Sequence, residues 1–212
     1  VRWISLGVLV AAGVVLALLW GDVPDRWVTH WGVHGQPNGW ATKSVAAAAL
    51  PLAIGFVIWL LLEATAAWIA RAGRAKAVPR EMMAVQAVVV RAAGLAVSLL
   101  IGGLAVGLPL LRPRSPLPIV IAAWIDLGLV LGLAIAWGTR RVRRLRAAGV
   151  AIPEGYGGLV YRNPNDSRLW VPKLAGIGRT INFAHRLAWP VMIALVGLPL
   201  AIVLALTLAT AR

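Results

Sequence analysis

The 212-residue chain contains no cysteine. Disulfides, thiolate nucleophiles and cysteine-based zinc sites are therefore excluded. Acidic side chains are also scarce, with 7 Asp and Glu against 21 Lys and Arg, for a formal net charge of +14. Charged residues make up only 13% of the chain, about half the share usual in a soluble domain. There is no Ser-His-Asp spacing, no P-loop, no dinucleotide-binding glycine fingerprint and no paired-histidine zinc-protease motif. The expectation is a non-enzymatic protein without a cofactor or a metal site.

What the chain does contain is apolar sequence, 60% of it, gathered in five runs over about 4–20, 45–70, 84–111, 118–137 and 187–208. Runs of roughly 17 to 25 residues are long enough to cross a bilayer core as helices. The sequence thus predicts an all-α, polytopic helical membrane protein with five transmembrane helices. Its expected organisation is a four-helix membrane region over 1–137 with a loop at 21–44, a basic cytoplasmic segment over 138–186, and a fifth helix over 187–212. The first run follows Arg2 and exits into "WGDVPD", which lacks a small-x-small cleavage pattern, so it reads as an uncleaved anchor.

Basic residues set the expected orientation. Arg71, Arg74, Lys76 and Arg80 lie between runs two and three, and Arg140, Arg141, Arg143, Arg144 and Arg146 follow run four. Both stretches should face the cytoplasm, with the N-terminus inside, the C-terminus outside and the 21–44 loop extracytoplasmic. The cluster "GTRRVRRLR" carries no interleaved aromatics. It reads as a stop-transfer cluster on anionic lipid headgroups, and no direct contact with nucleic acid is expected.

Three ionisable residues fall inside the runs: Glu63, Arg91 and Asp126. At about 1.5 Å per residue, Glu63 and Arg91 lie roughly 10 Å from the same membrane face, where adjacent antiparallel helices could pair them. Asp126 is nearer mid-span and has no sequence partner at its depth. Small residues recur four apart at Gly94, Ser98 and Gly102, at Gly103 and Gly107, and at Gly128, Gly132 and Ala136. Such stripes let backbones approach closely, and runs three and four are expected to pack on them.

Two polar stretches stand out. In "DRWVTHWGVHGQPNGWATK", the Gly-Gln-Pro-Asn-Gly run is turn chemistry. His30 and His34 have a zinc-compatible helical spacing, but the intervening glycine and the turn residues argue against a helix. His30, Trp31, Asn38 and Trp40 are the candidate ligand contacts there. In the second stretch, Asn163-Pro164-Asn165-Asp166 is a strong turn signal between short β-like pieces. Tyr161, Asn163, Asp166, Trp170, Lys173 and Asn182 are its candidate contacts for a cytosolic partner.

Residues Pro24, Asp25, Thr29, His30, Gly35, Pro37, Gly39, Trp40 and Lys43 resemble a loop of a bacterial membrane family that includes the SdpI-type toxin-immunity proteins. Trp31, Gly32 and Asn38 stand where that family usually has Phe, Asn and Asp. The stretch "GGLVYRNPNDSRLWVPKLAGIGRTINFA" is similar to an uncharacterised segment often found downstream of such loops. The resemblance implies a multi-pass protein of the bacterial plasma membrane that meets an extracytoplasmic peptide and holds a cytosolic regulator. A small ion-coupled transporter using Glu63, Arg91 and Asp126, and a structural subunit of a membrane complex, remain alternatives.

Overall fold

The computed structural model describes residues 1–32, 34–75, 78–156, 160–174 and 178–209. It is mostly helical, with helices α1 (Arg2–Leu18), α2 (Val45–Ala75), α3 (Arg80–Leu111), α4 (Leu117–Ala147) and α5 (Ala188–Ala209). Two antiparallel hairpins interrupt them, β1 (Arg26–Trp31) with β2 (Pro37–Thr42) and β3 (Trp170–Pro172) with β4 (Arg179–Ile181). Among the described residues, three helices are long and apolar enough to cross a membrane: Val45–Arg71, Arg80–Leu111 and Leu117–Ala147. At 31 or 32 residues, α2, α3 and α4 are each about 46 Å or more in length, and so exceed a hydrocarbon core of about 30 Å.

The chain divides into two compact units. The first comprises Val1–Glu63, Ala92–Val130 and Val203–Arg212. Its α1 is amphipathic in a quiet way, with Ser5, Leu9, Ala12 and Leu16 buried along one stripe. That stripe meets glycines. A Cβ on Gly55 of α2 would come within 3.0 Å of Leu9 and Ile101, and one on Gly102 of α3 within 3.4 Å of Val8 and Ala12. Gly94 faces Leu62 of α2. The α3 stripe of small residues therefore packs on α1 and α2, not on α4 as its spacing suggested. Gly103 and Gly128, by contrast, have open space where a side chain would be. Spacing finds a close-packing face, but which helix fills it depends on tertiary arrangement.

At one end of this unit, Leu16, Val23, Trp27, Ala48 and Ala105 form a buried cluster. Ser44 caps α2, its Oγ accepting from Ala47 N at 3.1 Å, which satisfies one of the free donors of a first turn. Pro109 lies within the last turn of α3, and Arg112 follows in the left-handed region at φ 48.

The second unit comprises Ala64–Arg91 and Leu131–Ile202. Helix α4 runs ten residues beyond the apolar run, so the arginine cluster is helical. Val142 and Leu145 explain this, because they are buried with Met82, Met83 and Val85 while Arg140, Arg141, Arg143, Arg144 and Arg146 are exposed. The extension ends at Gly149 (φ 81), with Val150 N donating to Leu145 O at 3.0 Å, a glycine-terminated helix end.

Candidate functional site

The first candidate site is the β1–β2 hairpin. Its pairing runs from Arg26 with Thr42 to Trp31 with Pro37, and it is irregular around His30. The strands come close there and the position requires glycine: a Cβ on Gly39 would come within 2.9 Å of His30 Cβ. His30 Nδ1 is hydrogen-bonded to Asn38 Oδ1 across the hairpin. With a carbonyl oxygen as acceptor, Nδ1 carries the proton. Trp40 is 46% exposed, and the Arg26 guanidinium lies 4.7 Å from its ring centroid. The Trp31 indole N–H is buried and has no hydrogen-bond partner among the described residues. The structure thus brings His30 and Asn38 together and leaves Trp40 presented to the surroundings.

Sequence reasoning did not single out the latch beneath this hairpin. Lys43 Nζ donates to Val23 O at 2.7 Å and lies 5.4 Å from the Trp20 ring, while Lys43 N donates to Asp25 O at 2.8 Å. Arg112 Nη2 donates to Asp22 O at 3.2 Å. Together with Asp22 and Asp25, Lys43 and Arg112 line a polar cleft of about 690 Å³. Lys43 was legible as part of the loop motif. Nothing local to Arg112 signals a partner 90 positions away.

The second candidate site is the segment after α4. Asn182 is fully buried. Its Nδ2 donates to Asn163 O at 2.9 Å and to Asp166 O at 2.8 Å. Its Oδ1 accepts from Asn163 N at 3.0 Å and Ala184 N at 3.1 Å. Every hydrogen-bonding position of the amide is used, and the side chain pins the 163–166 turn to the strand end.

The Asp166 carboxylate accepts from Arg168 Nε at 2.9 Å, Arg168 Nη2 at 2.8 Å, Arg168 N at 3.1 Å and Tyr161 Oη at 2.9 Å. The Arg168 guanidinium holds the carboxyl well below the usual carboxylate range, with help from the Arg168 amide. Burial pushes the Tyr161 phenol up, and its bond to Asp166 pushes it further. Tyr156 stacks edge-on against Tyr161 at 4.8 Å and donates its hydroxyl to Pro172 O at 2.6 Å. Arg146 at the end of α4 donates to Tyr156 O at 2.8 Å.

Tyr161, Asn163, Asp166 and Asn182 thus form one network that holds the fold of this segment. Trp170 is 43% exposed and Lys173 is exposed. Beside them Tyr156, Tyr161, Arg168, Val171, Pro172 and Lys173 border a cleft of about 380 Å³. Surface contacts and structural pins, grouped together by sequence, separate here. Nothing in the sequence around Tyr156 beyond the turn residues Pro153 and Gly155 signals this role.

Of the intramembrane candidates, Glu63 of α2 has Arg2 Nε 3.7 Å from its Oε2. The neighbouring Trp59 indole donates to Arg2 O at 3.3 Å. In the sequence Arg2 is only a flank of the first run. Asp126 of α4 lines a groove against α3 and is partly exposed. Arg91 lies on α3 in the second unit and is partly buried.

Residues 7–55, from α1 through the β1–β2 hairpin into α2, match a domain of unknown function (DUF1648). Residues 164–189, which include Asp166, Arg168 and Asn182, match a family of unknown function (DUF5808). No curated protein and no solved structure matches the chain.

Proposed function

We propose that the chain is a non-enzymatic, multi-pass protein of the bacterial plasma membrane, of the toxin-immunity or signalling type. In this reading it crosses the bilayer five times with its N-terminus inside. The β1–β2 hairpin meets an extracytoplasmic peptide or envelope component, and the segment after α4 faces the cytosol, beside anionic headgroups, where it engages a regulator. The observation that carries the reading is the hairpin itself. Among the described residues its sheet has two strands, so each strand has an outer edge that lies outside the ladder. An extended peptide can add a strand to such an edge, with specificity from neighbouring side chains. Trp40, exposed and held by Arg26, supplies an aromatic anchor beside those edges. The latch through Lys43 supports a preformed loop, which lowers the ordering cost of binding.

The test pairs two measurements in the same strains: membrane abundance, and sensitivity to secreted killing peptides. With His30→Ala and Trp40→Ala, the expected result is normal abundance with lost protection. Loss of protection that always parallels loss of protein, or no protection by the unaltered chain against any peptide tried, refutes the reading.

A further inference from the structure

Helices α3 and α4 do not close on each other along part of their length within the first unit. They leave a groove of about 540 Å³, walled by Leu100, Leu104 and Ile119 and floored by small residues such as Gly103 and Ala122. A side chain at Gly103 would meet nothing within 4 Å. The volume is in the range of small-molecule sites, about 300–1,000 Å³. The lining carries a single ionisable group, Asp126.

Asp126 lies nine residues into α4, about 14 Å along its axis from Leu117, which in the five-span reading puts it well inside a core about 30 Å thick. Among the described residues it has no hydrogen-bond or ion-pair partner. Carboxyls at such depth ordinarily face protein partners or water. This one faces an apolar groove. The nearest basic residue along the chain, Arg114, lies beyond the start of α4, and Arg112 is engaged with the Asp22 carbonyl.

We infer that the α3–α4 groove binds a lipophilic monocation, whose apolar body fills the space beside Leu100, Leu104 and Ile119 and whose charge rests against the Asp126 carboxylate. Charge complementarity selects this occupant. A lipid tail fills the same volume with no use for a carboxylate. A compact ammonium loses its hydration for one acceptor, which is unfavourable in apolar surroundings. A cation with its charge delocalised or shielded by carbon loses least on entry and still gains the ion pair. It also reaches the groove through the bilayer, where it already partitions.

The experiment is equilibrium dialysis of tetraphenylphosphonium with the full chain in phosphatidylcholine nanodiscs, whose neutral lipid removes competing headgroup charge. The unaltered chain should bind saturably, close to one per chain. Asp126→Asn, nearly isosteric, should weaken binding about thirtyfold or more, as expected for truncating one partner of a desolvated charge pair. Gly103→Leu keeps the carboxylate but fills the groove, and should weaken binding comparably. Tetraphenylborate, of the same shape and opposite charge, should show no saturable binding. All variants are compared only where they elute as a single species. Saturable binding that Asp126→Asn or Gly103→Leu leaves unchanged overturns the assignment. So does equal binding of tetraphenylborate, or no saturable binding by the unaltered chain.

Discussion

Replacing Asn182 with Ala removes four side-chain hydrogen bonds at a fully buried position. Two carbonyls, of Asn163 and Asp166, lose their donor, and two amides, of Asn163 and Ala184, lose their acceptor. At about 1 kcal/mol for each bond, the direct loss is about 4 kcal/mol. Water entering the space left by the amide recovers part of it, so a local destabilisation of about 3 kcal/mol is expected. By tenfold per 1.4 kcal/mol, the Asn163 and Ala184 amides should exchange with deuterium about a hundredfold faster. The control is Asn165→Ala, whose side chain is exposed and whose change should leave the rates nearly alone. Asn182→Asp is the sharper variant. It keeps two acceptor oxygens but turns one of them, charged, towards two carbonyls, so at neutral pH it should be at least as damaging as Ala. Unchanged exchange in Asn182→Ala, or Asp behaving like Asn, would refute the view that this amide is the pin of the segment.

Two further outcomes follow from the same segment. Gly155 has φ 81, and a Cβ there would come 2.5 Å from the Tyr161 ring; Gly155→Ala should therefore cost about 1–3 kcal/mol from backbone strain alone, read as earlier loss of protease resistance between α4 and α5. The chain has two tyrosines, Tyr156 and Tyr161, and burial raises both phenols. Because the folded state favours the protonated form, this stabilisation is complete below the ordinary phenol value of about 10 and lost as pH rises towards the folded value. Phenolate absorbance should appear at higher pH in the folded chain than after denaturation, and coincident titrations would contradict the packing. Asp166 shifts the other way. Its contribution is present above the unfolded carboxyl value of about 4 and is lost only as pH falls through the lower, folded one.

Much of the architecture was legible because hydrophobic run length is a one-dimensional signal. The starts of α2 and α4 fall where the runs begin, and Ser44 and Pro118 mark those starts locally. The end of α4 was not legible, since an arginine-rich stretch on a helix and one in a loop look alike until Val142 and Leu145 are seen to share a core with Met82. In the sequence the β1–β2 hairpin shows only its turn residues. Its alternation is broken at His30, where Gly39 lets the strands come close, and that break hides a strand period. At the sites, the candidate residues were found by type, but their roles depended on partners far away in sequence. Nothing near Glu63 points to Arg2, and nothing near Asp22 points to Arg112. Asn182 looked like a surface contact because polar residues usually are; its burial is a property of the 163–166 turn folding over it.

The span of sequence between bonded partners also orders events in time. Asn182 reaches back 19 positions to Asn163 and 16 to Asp166, and Tyr161 only 5 to Asp166. Such short closures are entropically cheap and fast. The segment can therefore knit before bonds of longer reach form. Asn182 O accepts from His185 N, and His185 Nδ1 accepts from Leu187 N, so the network hands α5 a fixed starting point one residue before its first turn. The β1–β2 hairpin has a different history. Its strands are near neighbours and can pair in microseconds, but the Arg112 bond to Asp22 spans 90 positions. At typical synthesis speeds that bond waits on the order of ten seconds. The hairpin is thus zipped early and latched late, and during that interval its polar cleft is still without one wall.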